Sequence, residues 1–236
     1  MERMFFFDID DTLYDLADPF RKTCKDYYGD RTDPFMEELF LAFRRHGEVS
    51  FMAVENKKMS MKEMYCYRLQ RAFAEHDIKI SEEEALAFQK TYQNYQHRIS
   101  LSADMKNFLD VFCRKTALGI LSNGPAKHQW DKVRSLGLLK WIKEEDIIIS
   151  GDVGVTKPDV RIYRIAEERG KGKELWMIGD SFESDIAGAY EAGWHSLWIN
   201  RRKRTTQDQN SKPDEIVYSE KEMIDSLKQI VERERK

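Results

Sequence analysis

The stretch that most limits how this chain can fold is FFFDIDDTLYD, residues 5–15, where an unbroken apolar run gives way to four carboxylates: Asp8, Asp10, Asp11 and Asp15. Consecutive apolar residues from Met4 to Phe7 leave no face for water, the pattern of a strand covered on both sides in a parallel sheet. Sheets of that kind bind ligands in the crevice beyond the carboxyl ends of their strands. A solvated acidic loop would carry the same charges, since charge clusters usually face water. The order of the residues favours the first reading, because Asp8 and Asp10 follow the strand directly.

Residues 16–100 change character: apolar positions recur at helical spacing and no strand pattern intervenes. Asp33 followed by Pro34 predicts a helix start, with Phe35, Leu39, Ala42 and Phe43 on one face. Met61, Tyr65, Leu69, Ala72 and Phe73 predict a second helix. A capping box of Ser81 and Glu84 opens a third, which runs through Phe88, Tyr92 and Tyr95.

From residue 101 the pattern is strand, loop, helix, repeated. Ser102 caps a helix to Arg114, and TALGILSNG reads as a buried strand that turns at Ser122. DIIIS is a strand ending near Ser150, followed by a loop to Lys157 and a helix with Pro158 in its first turn. LWMIGDSFESD repeats the form of the opening stretch, and Gly193 ends the helix after it. HSLWIN and EIVYS are further strands, Trp176 and Trp198 fall in the core, and Ser219 with Glu222 caps the last helix. This alternation predicts an α/β fold: a doubly wound, mainly parallel sheet from residues 1–15 and 101–236, with residues 16–100 inserted as an all-helical unit.

Composition narrows the partners. A net charge of -3, from 39 basic and 42 acidic residues, argues against a nucleic acid polymer. Cys24, Cys66 and Cys113 form no CxxC pair and no zinc spacing with the five histidines, which suits a reducing compartment. His46, His76, His97, His128 and His195 are expected at the surface or in the core. The apolar run near the N-terminus is too short for a signal peptide and no stretch approaches a membrane span, so a cytoplasmic location without membrane contact is expected. The polar stretch at 200–213 is expected as an exposed loop. Its Arg201–Arg204 cluster reads as solvated, with binding of an anionic substrate or partner as the alternative.

Strand ends and the loops after them deliver Asp8, Asp10, Ser122, Lys157, Asp180 and Asp185 to one edge of such a sheet. Converging carboxylates repel, and protonation or a cation must relieve that. Mg²⁺ is the natural cation, since it prefers oxygen ligands and is commonly held by one or two carboxylates with substrate phosphate. Asp8 and Asp180 are the side chains expected on it. Ser122 and Lys157 are then free to bind phosphoryl oxygens.

Four motifs in order over residues 5–193 carry a resemblance: FFFDIDDTLYD, ILSNG, GVTKPD and MIGDSFESDIAGAYEAG. Together they resemble the haloacid dehalogenase superfamily of hydrolases, specifically its phosphatases. The resemblance implies a Rossmann-like core with a helical cap that closes over the site. Asp8 would be the nucleophile that forms an aspartyl-phosphate, and Asp10 the acid and base on the leaving oxygen and the hydrolytic water. Dehalogenases of the superfamily lack this second aspartate, so a phosphate ester is implied. Strand alternation, which points residues i and i+2 to one side, would help explain the spacing of Asp8 and Asp10. Mg²⁺ would be bound by Asp8, Asp180 and the carbonyl of Asp10, with Asp185 supporting and Thr12 hydrogen bonding beside the nucleophile. Asn123 would add a hydrogen bond to phosphate or serve as a turn former, while Asp11 and Asp15 would be structural or exposed.

The phrases ISGDVGVTKPD, GDSFESDIAGA and WINRRK resemble bacterial nucleoside 5'-monophosphate and small phosphomonoester phosphatases. Flavin mononucleotide, sugar phosphates and phosphoglycolate stay open as substrates. Tyr14, Phe20, Phe51 and Met52 are the residues expected to face the pocket from the cap side, and the chain is expected to be a monomer or homodimer. Two rival readings are a phosphoacceptor switch and a binding protein that has lost turnover.

Overall fold

The computed structural model describes residues 2–206, 208 and 210–233. The chain divides into two compact units, Met1–Asp15 with Ser100–Lys236, and Leu16–Ile99.

The second unit is helical: α1 (Asp18–Tyr28), α2 (Met36–Glu55), α3 (Met61–Ala74) and α4 (Glu82–Gln96). Their shared core is aromatic, with the Phe20 ring 4.7 Å from Phe43 and 5.5 Å from Phe88. Reciprocal capping boxes, Ser60 with Glu63 and Ser81 with Glu84, start α3 and α4 by satisfying amides that have no partner inside the helix. The sequence pattern missed α1, because its sequence DPFRKTCKDYY is mostly polar and buries only Pro19, Phe20, Thr23 and Cys24.

The expected helix start at Asp33–Pro34 is corrected. Both residues lie in a 3₁₀ turn, Gly29–Phe35, and α2 begins at Met36 without a side-chain cap. Leu39, Ala42 and Phe43 are buried as read, whereas Phe35 is only partly so and stacks on His76. In α3 the buried stripe is Met64, Cys66, Leu69, Ala72 and Phe73, and Met61 faces water. Phe20 is fully enclosed by its own unit, which removes it as a pocket wall, and Phe51 and Met52 are exposed on α2.

The first unit holds a six-stranded sheet of β1 (Arg3–Phe7), β2 (Ala117–Ser122), β3 (Ile147–Ile149), β4 (Glu174–Gly179), β5 (His195–Ile199) and β6 (Glu215–Val217). The order is β3-β2-β1-β4-β5-β6 and every pairing is parallel. The chain winds outward from β1 to β3, then returns to lay β4 on the other side of β1. Ligands bind such sheets where the winding reverses, and here that is the β1–β4 pair.

Double coverage explains the opening apolar run. Successive side chains of β1 leave on opposite faces. The Phe5 ring lies 5.1 Å from Phe112 of α5 (Ala103–Phe112), and Phe6 lies 5.3 Å from Trp194 on the other face. Helix α6 (Ala126–Leu136) follows β2, and α7 (Ser150–Val153) follows β3 directly, so that strand ends at Ile149. Phe6 also packs with Ile162, Tyr163 and Ala166 of α8 (Val160–Glu167) and with Ala189 and Ala192 of α9 (Ala187–Ala192). Helix α10 (Glu220–Glu232) lies beside α5.

Ser102 caps α5 and Ser219 caps α10, each through its hydroxyl. Gly193 ends α9 at φ 77°, a left-handed conformation that glycine adopts without strain. Pro158 precedes α8 instead of sitting in its first turn, and Asp159 is the cap. Trp176 and Trp198 are buried. His46 bonds Glu75, and His195 pairs with Asp214 and stacks on Trp176. No helix among the described residues is long and apolar enough to cross a membrane.

Candidate active site

Strand β1 stops at Phe7, but the Asp8 amide still donates to the Ile178 carbonyl at 2.9 Å and so extends the pairing with β4 by one residue. Asp10 lies past the ladder, in a turn where Asp11 takes φ 58° and Asp10 bridges to Tyr14. Strand alternation therefore does not account for the pair of aspartates, as the sequence suggested. The two carboxylates enter different surroundings.

Asp8 Oδ1 accepts hydrogen bonds from Ser122 Oγ at 3.0 Å and Lys157 Nζ at 2.8 Å. The same ammonium lies 2.6 Å from Asp185 Oδ1 and donates to the Leu121 carbonyl at 2.6 Å. All four side chains are buried. Asp185 is held by the Ser181 amide, which donates to its Oδ2 at 3.0 Å. Gly179 makes that approach possible, since a Cβ there would come within 2.2 Å of Asp185 Oδ2. Oxygens of Asp8, Asp180 and Asp185 all lie within 4.8 Å of one another. Asp8 and Asp180, the side chains expected on the cation, are both in this cluster, and Asp185, expected in support, lies beside them.

Positive charge is scarce here. Burial, then the negative charges of Asp185, Asp8 and Asp11, push the Asp180 carboxyl up to about 8, and Arg204 at 3.5 Å opposes this. Burial likewise raises Asp185, against the pull of Lys157. Burial alone would lower the Lys157 ammonium, but Asp185 and Asp8 outweigh it and the net direction is upward. The Lys157 ammonium and, farther off, the Arg204 guanidinium thus stand against three carboxylates whose donors are all oxygens, a set suited to a hard divalent cation.

Asp10 has its own partners. Tyr14 donates to Oδ1 at 2.6 Å, while Lys132 Nζ and Gln129 Nε2 reach Oδ2 at 2.5 and 3.3 Å. Burial raises this carboxyl, but Lys132, Tyr14 and Gln129 together outweigh it and leave it below the usual value. Gln129 and Lys132 stand three apart on α6, a spacing that puts both on one helix face. Sequence reasoning missed them, because AKHQWDKVRSL reads as a solvated amphipathic helix. The i, i+3 pair becomes a signal only once Asp10 is known to face that helix.

Three further expectations change. The Asn123 amide donates to the Lys157 carbonyl and accepts from the Lys157 amide, both at 2.9 Å, so it ties the two loops together instead of presenting itself as a phosphate ligand. Thr12 is fully buried, and its hydroxyl has no hydrogen-bond partner among the described residues. The Arg201–Arg204 cluster is not simply solvated. Arg201 donates to the carbonyls of Asp11 and Thr12 at 3.0 Å each, and Arg202, its side chain 5% exposed, pairs with Asp11 and Asp15 at 2.9 and 2.6 Å. Asp11 and Asp15 are structural through these pairs. Gln207 and Gln209 of the same loop lie outside the described residues.

The chain is 26% identical over 238 residues to the glyceraldehyde 3-phosphate phosphatase of Methanothermobacter thermautotrophicus, covering 98% of this chain and all of that protein. It is 32% identical over 101 residues to the pyrimidine 5'-nucleotidase YjjG of Escherichia coli, 42% of this chain and 44% of that one. The crystal structure of the HAD-hydrolase YfnB from Bacillus subtilis, described as bound to magnesium, superposes with a TM-score of 0.64 at 22% identity, over 98% of both chains, and shares the fold. Residues 2–193 match the haloacid dehalogenase-like hydrolases as a family, and the chain belongs to that family.

Proposed function

We propose that this chain is a Mg²⁺-dependent phosphatase that hydrolyses small-molecule phosphomonoesters through an aspartyl-phosphate on Asp8. The observation that carries the reading is the set of partners around Asp8: a hydroxyl, an ammonium and two further carboxylates at the point where the sheet reverses its winding. The carboxylate cluster, with Asp180 raised by burial and by the carboxylates beside it, fits Mg²⁺ held by Asp8 and Asp180 together with the Asp10 carbonyl, with Asp185 in support. When bound, the ion supplies positive charge against the anionic phosphoryl group and the carboxylates around it.

The protein's own groups carry the steps. An Asp8 carboxylate oxygen attacks phosphorus, the bond from phosphorus to the ester oxygen breaks, and Asp10, which must enter this step protonated against the pull of Lys132, gives that oxygen its proton. Water then attacks phosphorus, its proton returns to Asp10, and the bond from Asp8 to phosphorus breaks to release phosphate. Ser122 and Lys157, both within reach of Asp8, hold phosphoryl oxygens as charge develops on them. A proton donor at Asp10 suits an ester, whose leaving alkoxide needs one, better than a halide. Proton transfer of this kind is worth roughly 10²–10⁴-fold.

A nucleoside 5'-monophosphate is the substrate class read from the sequence phrases, and YjjG agrees with it over part of the chain. The full-length match to a glyceraldehyde 3-phosphate phosphatase makes a triose phosphate the rival. Phosphate release from p-nitrophenyl phosphate with and without Mg²⁺, then from both natural classes, tests the reading. Mg²⁺-dependent release that Asp8→Asn abolishes supports it. A folded, Mg²⁺-binding protein that turns over no phosphate ester overturns it.

A further inference from the structure

Lys132 lies outside the four motifs, yet its ammonium makes the shortest contact to Asp10, at 2.5 Å. The two oxygens of Asp10 are gripped from different places. Tyr14, in the same turn, takes Oδ1, while Lys132 and Gln129 reach Oδ2 from α6, which is anchored by buried Val133 and Leu136. Without Lys132 the carboxylate keeps one bond from its own turn and a long one from Gln129, and it is free to pivot about the first. Gln129 Nε2 is also divided, since it donates to the Asn123 carbonyl at 2.9 Å. Lys132 is therefore the main link between Asp10 and a rigid element.

Building on the phosphatase reading above, we propose that Lys132 is a positioning residue for the second half of the reaction, holding Asp10 aimed as the base for the water that hydrolyses the phosphoenzyme. In that step a water O–H bond breaks and the water oxygen bonds phosphorus. The proton goes to an Asp10 oxygen, and the Asp8 oxygen leaves with the electron pair of its bond to phosphorus. An ion-paired carboxylate, with both oxygens engaged, is arranged to accept a proton from one fixed direction. The first step leans less on Asp10 when the leaving group is already a stable anion, as p-nitrophenolate is.

The test uses wild type, Lys132→Met and Lys132→Arg with Mg²⁺ and p-nitrophenyl phosphate. Acid quenching follows the formation and the decay of the phosphoenzyme separately. Lys132→Met is expected to form phosphoenzyme at the wild-type rate and to lose it at least about tenfold more slowly, so that the covalent species accumulates. Lys132→Arg, which keeps a cation, is expected to recover much of the decay rate. Lys132→Gln replaces the methionine variant if that protein does not fold. Decay as fast as wild type, or formation slowed as much as decay, overturns the inference while leaving the phosphatase reading intact. Wild type that hydrolyses no ester overturns the phosphatase reading, and the inference falls with it.

Discussion

Asp8 and Asp10 are two residues apart and live in opposite electrostatic surroundings. Asp8 shares one buried ammonium with Asp185, and near them Asp180 is pushed up to about 8. Asp10 is met by Lys132, Tyr14 and, at longer range, Gln129, and is held below the usual carboxylate range. The first group is short of cation and must acquire one; the second is balanced by the chain itself.

Removing the ammonium on the Asp8 side is the strongest way to break this comparison. Lys157→Met leaves buried carboxylates unpaired and is expected to destabilise the protein by about 3–5 kcal/mol in chemical denaturation. A loss near zero would mean that the Asp8 side is not the buried, charge-starved cluster described. The effect of pH is next in size. In the unfolded chain the Asp180 carboxyl releases its proton near the ordinary 3.8, whereas the folded protein keeps it to about 8. Between those values the folded state binds more protons, so metal-free stability is present at low pH and is lost as pH rises through that window. Melting temperature is expected to fall across it, Mg²⁺ to reverse the fall, and Asp180→Asn to weaken both responses, leaving the part that Asp185 contributes. The smallest effect belongs to Lys132→Met. Its pair with Asp10 is partly exposed, so the expected cost in the same denaturation experiment is about 1 kcal/mol or less, despite the slowed phosphoenzyme decay.

How far the sequence could be read follows the same physical divide. The strand ends were legible because the doubly covered β1 must be apolar on consecutive residues, and an aspartate after such a run stands out. Ser122, Lys157, Asp180 and Asp185 came from the same logic and from motif order. Side-chain assignments across elements were not legible. Lys132 and Gln129 look like any polar face of α6, and Arg202 looks like part of a basic loop until Asp11 and Asp15 are seen beside it. Helix α1 was lost because one unit of short helices can bury Phe20 and Cys24 without a long apolar stripe. The start of α2 was misplaced because Asp-Pro fits a 3₁₀ turn as well as a helix start.

The measurement that bears most directly on the account is identification of the phosphorylated residue. Wild-type protein is mixed with Mg²⁺ and p-nitrophenyl phosphate, quenched in acid within the first turnover, digested and analysed by mass spectrometry beside Asp8→Asn. A phosphoryl group is expected on the peptide that carries Asp8, on Asp8 itself, and none in the variant. Phosphate release by wild type with no modified Asp8 at any quench time, or a phosphoryl group on another residue, would contradict this.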